Sequence, residues 1–453
     1  MASWWSFASG TDLIGAFAHS DGLMTASMEV LARLMRELED QLDACMRCGM
    51  CHSVCPLFEQ TGRETDVARG KLALLSGLME RMFDDPQGVS RRIDKCLLCG
   101  SCTASCPSGV HAQEIFLKAR AVLGGYMGLS PANRVILRGM LSHPALFDRL
   151  AEWAARFQAL FTRPANDVLN TSCVRAMSPW FQDRHFQLLA AEPFHRQVPF
   201  LDRPAGKSGL KVALFTGCLI DKIFPHVARS VVRVLEHLGV GIYLPENQGC
   251  CGIPALSSGD MQTFEKLLAH NLQRFSTGAF DVLVTACATC TSTIHKVWPQ
   301  MAGRRYRQEA SQLADRTMDI SQFLVRESGL PALPESSAAP RMVTYHDPCH
   351  LKKGLNVFKE PRAVINAAPG YRLKEMAEPD RCCGMGGCFN LKYYGLSREI
   401  GRKKAAQIMD TCADVLVTGC PACMIQMADM LSQAGSGIAI RHPIELCAEA
   451  LDD

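Results

Sequence analysis

Residues 45–56 read CMRCGMCHSVCP and residues 96–107 read CLLCGSCTASCP, two runs of the form C-x2-C-x2-C-x3-C-P. Two successive two-residue gaps let one short loop wrap three thiolates around one face of an iron-sulfide cube. The fourth cysteine, carried onward before the proline, reaches the other cube. The pattern predicts two 4Fe-4S clusters with crossed ligation, Cys45, Cys48, Cys51 and Cys106 on one and Cys96, Cys99, Cys102 and Cys55 on the other. Zinc also takes thiolates at CxxC spacing, but two full four-cysteine runs ending in proline favour iron. Two linked clusters imply conduction of electrons. Between the runs, ARGKLALLSGLMERM at residues 68–82 has the character of a helix. Ahead of them, Met28, Leu31, Leu34, Met35, Leu38 and Leu42 recur at helical spacing and predict an amphipathic helix whose stripe faces the core.

Outward from these runs the chain divides by cysteine content. From 129 to about 208 cysteine almost vanishes, leaving Cys173, and this stretch is expected to be a helical connector. From Lys211 onward, short apolar runs such as VALF, GVGIYL and DVLVT alternate with helix-like stretches, as in α/β units. A second such series begins near Arg341, after the Pro- and Ser-rich linker Leu330 to Pro340. Cys218, Cys250, Cys251, Cys287 and Cys290 recur as Cys349, Cys382, Cys383, Cys420 and Cys423, offset by 131 to 133 residues. The two segments therefore read as duplicated domains. The expected organisation is 1–128 for the two-cluster domain, 129–208 for the connector, and 209–335 and 336–453 for the cysteine-rich repeats.

Composition agrees with this division. In 453 residues, 48% of them hydrophobic, there is material for about three domains with cores of their own. Such a protein does not need disulfides, so its 22 clustered cysteines point to metal ligation in a reducing, cytoplasmic compartment. The first twenty residues lack a basic start and are broken by Gly, Asp and His, unlike a signal peptide. No apolar run reaches the roughly 18 residues that span a bilayer, which leaves a soluble protein or one peripheral on the inner face of the membrane. A net charge of +3 gives no reason to expect nucleic acid as a partner. Neither GxGxxG after a strand nor GxxxxGK occurs, so no nucleotide or flavin site is expected, and no catalytic residue stands out.

Two loops carry further detail. In RCCGMGGCFN, Gly384, Gly386 and Gly387 permit positive φ and close backbone approach, so N–H groups there could point at cluster sulfides; GIPA in the first repeat is not expected to offer them. In TYHDPCH, His346, Asp347 and His350 bracket Cys349, where a histidine could move a proton, donate to a sulfur or tie the loop down. Cys388 reads as a buried free thiol, and Cys173, Cys412 and Cys447 as core residues.

The N-terminal runs resemble the helical two-cluster ferredoxin domain of respiratory dehydrogenase subunits. The repeats resemble the Cys-rich domain shared by heterodisulfide reductase, by the iron-sulfur subunits of glycolate oxidase and anaerobic glycerol-3-phosphate dehydrogenase, and by lactate-utilisation proteins. The resemblance implies a multidomain α+β and α/β protein, with a helical ferredoxin domain followed by two duplicated α/β domains. It also implies one or two further clusters, non-cubane in heterodisulfide reductase, on the two five-cysteine sets. A vicinal pair cannot easily chelate one tetrahedral metal but can bridge two irons, which favours iron over zinc. The implied role is the iron-sulfur subunit of a flavoprotein 2-hydroxyacid dehydrogenase of lactate or glycolate type, relaying electrons from an FAD-containing subunit to a quinone or another carrier. Two alternatives share the architecture: a heterodisulfide-reductase-like catalytic subunit, and a subunit of a membrane quinol-oxidising complex.

Overall fold

The computed structural model describes residues 33–39, 41–175, 183–334 and 339–451. The first portion is helical. Leu34, Leu38 and Leu42 are buried against Leu72, Leu75, Ile93, Ile115 and Phe116, so the stripe faces the core. Met28 and Leu31 of that stripe lie outside the described residues, as do the first twenty. The helix expected at 68–82 spans Ala68–Met79. Its neighbours begin where the sequence supplies caps: Pro86–Asp94 opens on Pro86, and Asp85 Oδ1 accepts from Gly88 N at 2.7 Å.

Three short strands, β1 (Thr162–Asn166), β2 (Thr171–Val174) and β3 (Phe186–Gln187), form an antiparallel sheet. They correct the expectation of a helical connector over 129–208. That stretch is helical through Pro144–Phe161 and turns to sheet at Thr162. Pro164 cannot continue a helix, and Asn170, at φ +49°, supplies the left-handed residue of the β1–β2 turn. The small sheet lies on the second repeat, where Thr171 Oγ1 and Ser432 Oγ stand 2.6 Å apart and Asp429 Oδ1 accepts from His185 N at 2.9 Å.

The first repeat is a five-stranded sheet of β4 (Leu201–Arg203), β5 (Lys211–Phe215), β6 (Gly241–Leu244), β7 (Val282–Thr285) and β8 (Thr317–Asp319). Its order is β4-β6-β5-β7-β8, parallel except for β4. Since β4 pairs with β6, the first sheet starts before the expected boundary at 209. The second repeat comprises β9 (Arg341–Tyr345), β10 (Tyr371–Leu373), β11 (Val415–Val417) and β12 (Ala439–Arg441), all parallel in the order β10-β9-β11-β12. Without β4 the two sheets have the same order, which is the structural form of the duplication. In both, the chain leaves its first strand to one side and then crosses to the other, opening a crevice at the strands' carboxyl ends.

Three contacts weld the ferredoxin domain to the repeats. Arg120, buried on the helix Ala112–Met127, donates to the carbonyls of Ile93, Asp94 and Cys96 and to that of Ser257 in the first repeat. Gly124 on the same helix meets Gly259 so closely that a Cβ would lie 2.5 Å from its carbonyl oxygen. Lys353 of the second repeat donates to Ser101 Oγ at 2.7 Å and to Asp380 O at 2.8 Å.

Candidate metal centres

Both ferredoxin runs wind the same way. Arg47 and Gly49 in the first, and Leu98 and Gly100 in the second, have φ of +55°, +87°, +54° and +72°. This alternation of left-handed residues curls three cysteines around one point. Glycine is at ease there, whereas Arg47 and Leu98 carry strain that only the surrounding loop can hold. Nothing in their side chains advertised it. Cys45, Cys48, Cys51, Cys102 and Cys106 line one cavity. Burial pushes the Cys55 thiol up to about 11, and Cys99 and Cys96 beside it act in the same direction. Burial also raises Cys102 well above its ordinary value, joined by Cys96, Cys99, Cys55 and Cys51. The chain thus gathers all eight cysteines of the two runs, with Cys106 beside the first run and Cys55 beside the second. Backbone donors face them: Phe58 N to Cys55 Sγ at 3.5 Å, Leu98 N to Cys96 at 3.4 Å, and Val110 N to Cys106 at 3.4 Å.

In each repeat, all five cysteines stand at the carboxyl ends of three adjacent parallel strands. Cys218 and Cys349 follow β5 and β9, the vicinal pairs follow β6 and β10, and the CxxC groups follow β7 and β11. Cys287 and Cys420 each occupy the N-cap of a helix. In the first repeat Cys218 Sγ lies 3.8 Å from Cys250 Sγ, and in the second Cys383 Sγ lies 3.4 Å from Cys423 Sγ. Cys250, aided by Cys290, holds the Cys251 thiol well below its ordinary range; Cys382 and Cys423 do the same to Cys383. Eight of these ten cysteines are buried; Cys218 and Cys349 are half-buried. Convergent soft thiols, one of each vicinal pair held below its ordinary range by its neighbours, are a donor set that fits an iron-sulfur centre.

Gly384 and Gly386 have φ of +91° and +52°, as the sequence suggested, and Gly384 N donates to Cys382 Sγ at 3.4 Å. Gly386 is needed for contact with the ferredoxin domain, since a Cβ would lie 3.1 Å from Leu97 Cα. The first repeat corrects one expectation. Its GIPA loop also supplies donors, with the Gly252 and Ile253 N–H groups facing Cys250 and Cys251.

The four cysteine groups touch in single file. Cys102 of the Cys96 group borders the cavity of the Cys45 group. A hydrogen bond from Cys382 brings the Cys99 thiol down to about 5, and Lys353 and Ser101 lower it further against burial. At the far side of the second repeat, Cys287 of the first repeat holds Cys420 well below its ordinary value. Ala288 N donates to Gly419 O at 3.0 Å across the same seam. This order could not be read from the chain.

The remaining sequence candidates fall into place around the groups. Asp347 is clamped by Arg362 at 2.8 and 3.0 Å. His350 Nδ1 lies 3.1 Å from Thr289 Oγ1 across the repeat seam. Cys388 is half-buried and belongs to neither group; its Sγ meets Ser258 Oγ at 3.2 Å. Cys447 is buried and Cys173 half-buried, but Cys412 is exposed in a turn at φ +53° and is no core residue. Sequence reading also missed a cavity of about 360 Å³ that opens beside Cys218 and Cys250, walled by Glu152, His195, Lys222 and Gln248.

Comparison with known proteins agrees with this anatomy. A 4Fe-4S dicluster domain matches residues 41–110, and a cysteine-rich domain matches 212–295 and again 343–428. A fumarate reductase (CoM/CoB) subunit of Methanothermobacter marburgensis is 34% identical, covering 91% of this chain and 73% of its own length. A probable glycolate oxidase iron-sulfur subunit of Bacillus subtilis is 26% identical over 94% of this chain and 99% of its own. A dihydromethanophenazine:CoB--CoM heterodisulfide reductase subunit of Methanosarcina barkeri is 26% identical over 91% and 94%. With its dicluster domain, its doubled cysteine-rich domain and these relatives, the chain belongs to the family of iron-sulfur oxidoreductase subunits that share this architecture.

Proposed function

We propose that this chain is the electron-relay subunit of a flavin-dependent 2-hydroxyacid dehydrogenase acting on lactate or glycolate, and passes electrons from an FAD-containing subunit toward a quinone. The observation that carries this reading is the single file of cysteine groups, running from the Cys45 group through the Cys96 group and the second repeat to the first. Clusters bound there supply one-electron redox chemistry. The chain's own residues fix the order, exclude water and keep neighbouring groups in contact. The proposed ligands are the eight ferredoxin cysteines in the crossed arrangement, then Cys349, Cys382, Cys383, Cys420 and Cys423, then Cys218, Cys250, Cys251, Cys287 and Cys290.

The quinone end is supported by the surroundings of the first repeat. The helix Pro144–Phe161 borders the cavity beside Cys218 and buries none of its residues. Leu146, Leu150, Trp153, Phe157 and Leu160 form an exposed apolar stripe along it, with Trp153 63% exposed, and Arg149 and Arg156 flank the stripe. An apolar face with Trp and Phe beside arginines suits a helix lying at a lipid surface. No helix among the described residues is long and apolar enough to cross a membrane, so peripheral attachment on the inner face fits. Anaerobic co-purification tests the assignment. A flavoprotein oxidising lactate or glycolate should accompany the chain, and its absence from an active complex would defeat the reading.

A second reading has one observation in its favour. Contact between Cys287 and Cys420 puts the two five-cysteine groups side by side, where they could act together on one disulfide. Two-electron reduction of a disulfide to two thiols by the isolated, cluster-loaded chain, with an artificial one-electron donor such as reduced viologen in place of a flavoprotein, would favour that catalytic role.

A further inference from the structure

The second five-cysteine group has a neighbour that the first lacks. His346 directly follows β9, three residues before Cys349, and the residue at the same distance before Cys218 is Phe215. Phe215 is wholly buried and packs against Phe275 and Trp298, an apolar setting with nothing to offer a metal. His346 is equally buried but polar. Its backbone N–H donates to Val417 O at 2.9 Å, which pins the residue to the end of β11. Its Nδ1 lies 3.2 Å from Pro379 O. A carbonyl oxygen only accepts, so Nδ1 carries the proton and Nε2 presents its lone pair. That Nε2 is buried with no nitrogen or oxygen partner among the described residues, and a ring nitrogen gathers with Cys383 Sγ and Cys423 Sγ within 4.8 Å of one another, the imidazole lying in hydrogen-bond contact with the Cys383 thiol. A backbone carbonyl on the far nitrogen is the usual orientation of a metal-bound histidine.

We propose that His346 Nε2 is a sixth ligand of the iron-sulfur centre held by Cys349, Cys382, Cys383, Cys420 and Cys423. This makes the second centre a mixed nitrogen and sulfur site, while the first is bound by thiolates alone. The proposal rests on the assignment of those five cysteines as ligands. A buried imidazole lone pair set beside a ligand thiol is satisfied by coordination to the iron that the thiol would bind. Replacing part of a thiolate environment by imidazole also changes a centre's potential, so the duplicated domains need not work at the same one.

Pulsed EPR of the full chain, prepared anaerobically with natural-abundance or ¹⁵N-labelled histidine, tests this without relying on turnover. The second centre should show one strongly coupled histidine nitrogen whose signal changes with the label. His346→Phe, which installs the first repeat's residue, should abolish that coupling and shift the centre's potential, leaving the other centres' spectra unchanged. His346→Gln provides a second variant should the phenylalanine form load poorly. No histidine coupling in unaltered, iron-loaded protein overturns the proposal, as does coupling that persists in either variant. A second repeat that binds no iron at all would instead overturn the ligand assignment, and Cys382→Ser, scored by iron content, distinguishes the two failures.

Discussion

The two cysteine-rich repeats share a sheet order and a five-cysteine pattern, yet they have different neighbours. The second repeat faces inward: Cys382 meets Cys99, Gly386 lies against Leu97, and Lys353 reaches Ser101. The first repeat faces outward, with Cys218 and Cys250 at the wall of a cavity. Even the residues just before the first cysteine differ. Gly217, at φ +67°, leaves room for Cys290, since a Cβ there would lie 3.0 Å from its sulfur, whereas Pro348 fills the same place in the second repeat. Duplication thus supplied two similar cradles with different surroundings, one against the ferredoxin domain and the other beside a cavity.

The sharpest way to break this comparison is to disable one cradle at a time. Cys251→Ser should empty the first repeat of iron and Cys383→Ser the second, each leaving the two ferredoxin clusters of four irons in place by iron and acid-labile sulfide analysis. Loss of iron from both repeats in either variant would mean that they share one centre. Next in size is Arg120→Ala. Four carbonyls lose their donor in a buried seam, so stability should fall by about 2–4 kcal/mol in denaturant unfolding, with the first repeat separating from the ferredoxin domain. An unchanged midpoint would remove Arg120 from the account. Gly386→Ala should cost about 1–3 kcal/mol, because a side chain at φ +52° is strained and collides with Leu97. Gly217→Ala, strained at φ +67° as well, should perturb the first repeat's spectrum and leave the second repeat's as it was. Smallest is Trp153→Ser, which should weaken co-sedimentation with anionic vesicles and leave every cluster signal as it was. Equal sedimentation would assign the exposed stripe to a protein partner.

Much of this was legible in the chain because metal ligation is local. The runs at 45–56 and 96–107 state their own chemistry, and the repeat of five cysteines announced the duplicated sheets. Other features were not legible, for physical reasons. Left-handed Arg47 and Leu98 pass for ordinary residues until a loop forces them. The connector turned to sheet at Thr162 because β1 and β2 found each other and a surface on the second repeat, which is tertiary information. Cys412 passed for a core residue in a cysteine-rich chain, yet it sits in an exposed turn just beyond a helix. The order of the four groups depends on contacts such as Cys99 with Cys382, far apart in sequence, which no spacing rule encodes.

The single file is the central claim, and magnetic coupling between reduced centres tests it without any partner protein. In the intact chain, the second-repeat centre should broaden or relax both the Cys96-group cluster and the first-repeat centre. In Cys383→Ser, both effects should vanish, leaving the first-repeat centre magnetically isolated while the two ferredoxin clusters still couple to each other. Direct coupling between the first-repeat centre and a ferredoxin cluster in that variant would contradict the order proposed.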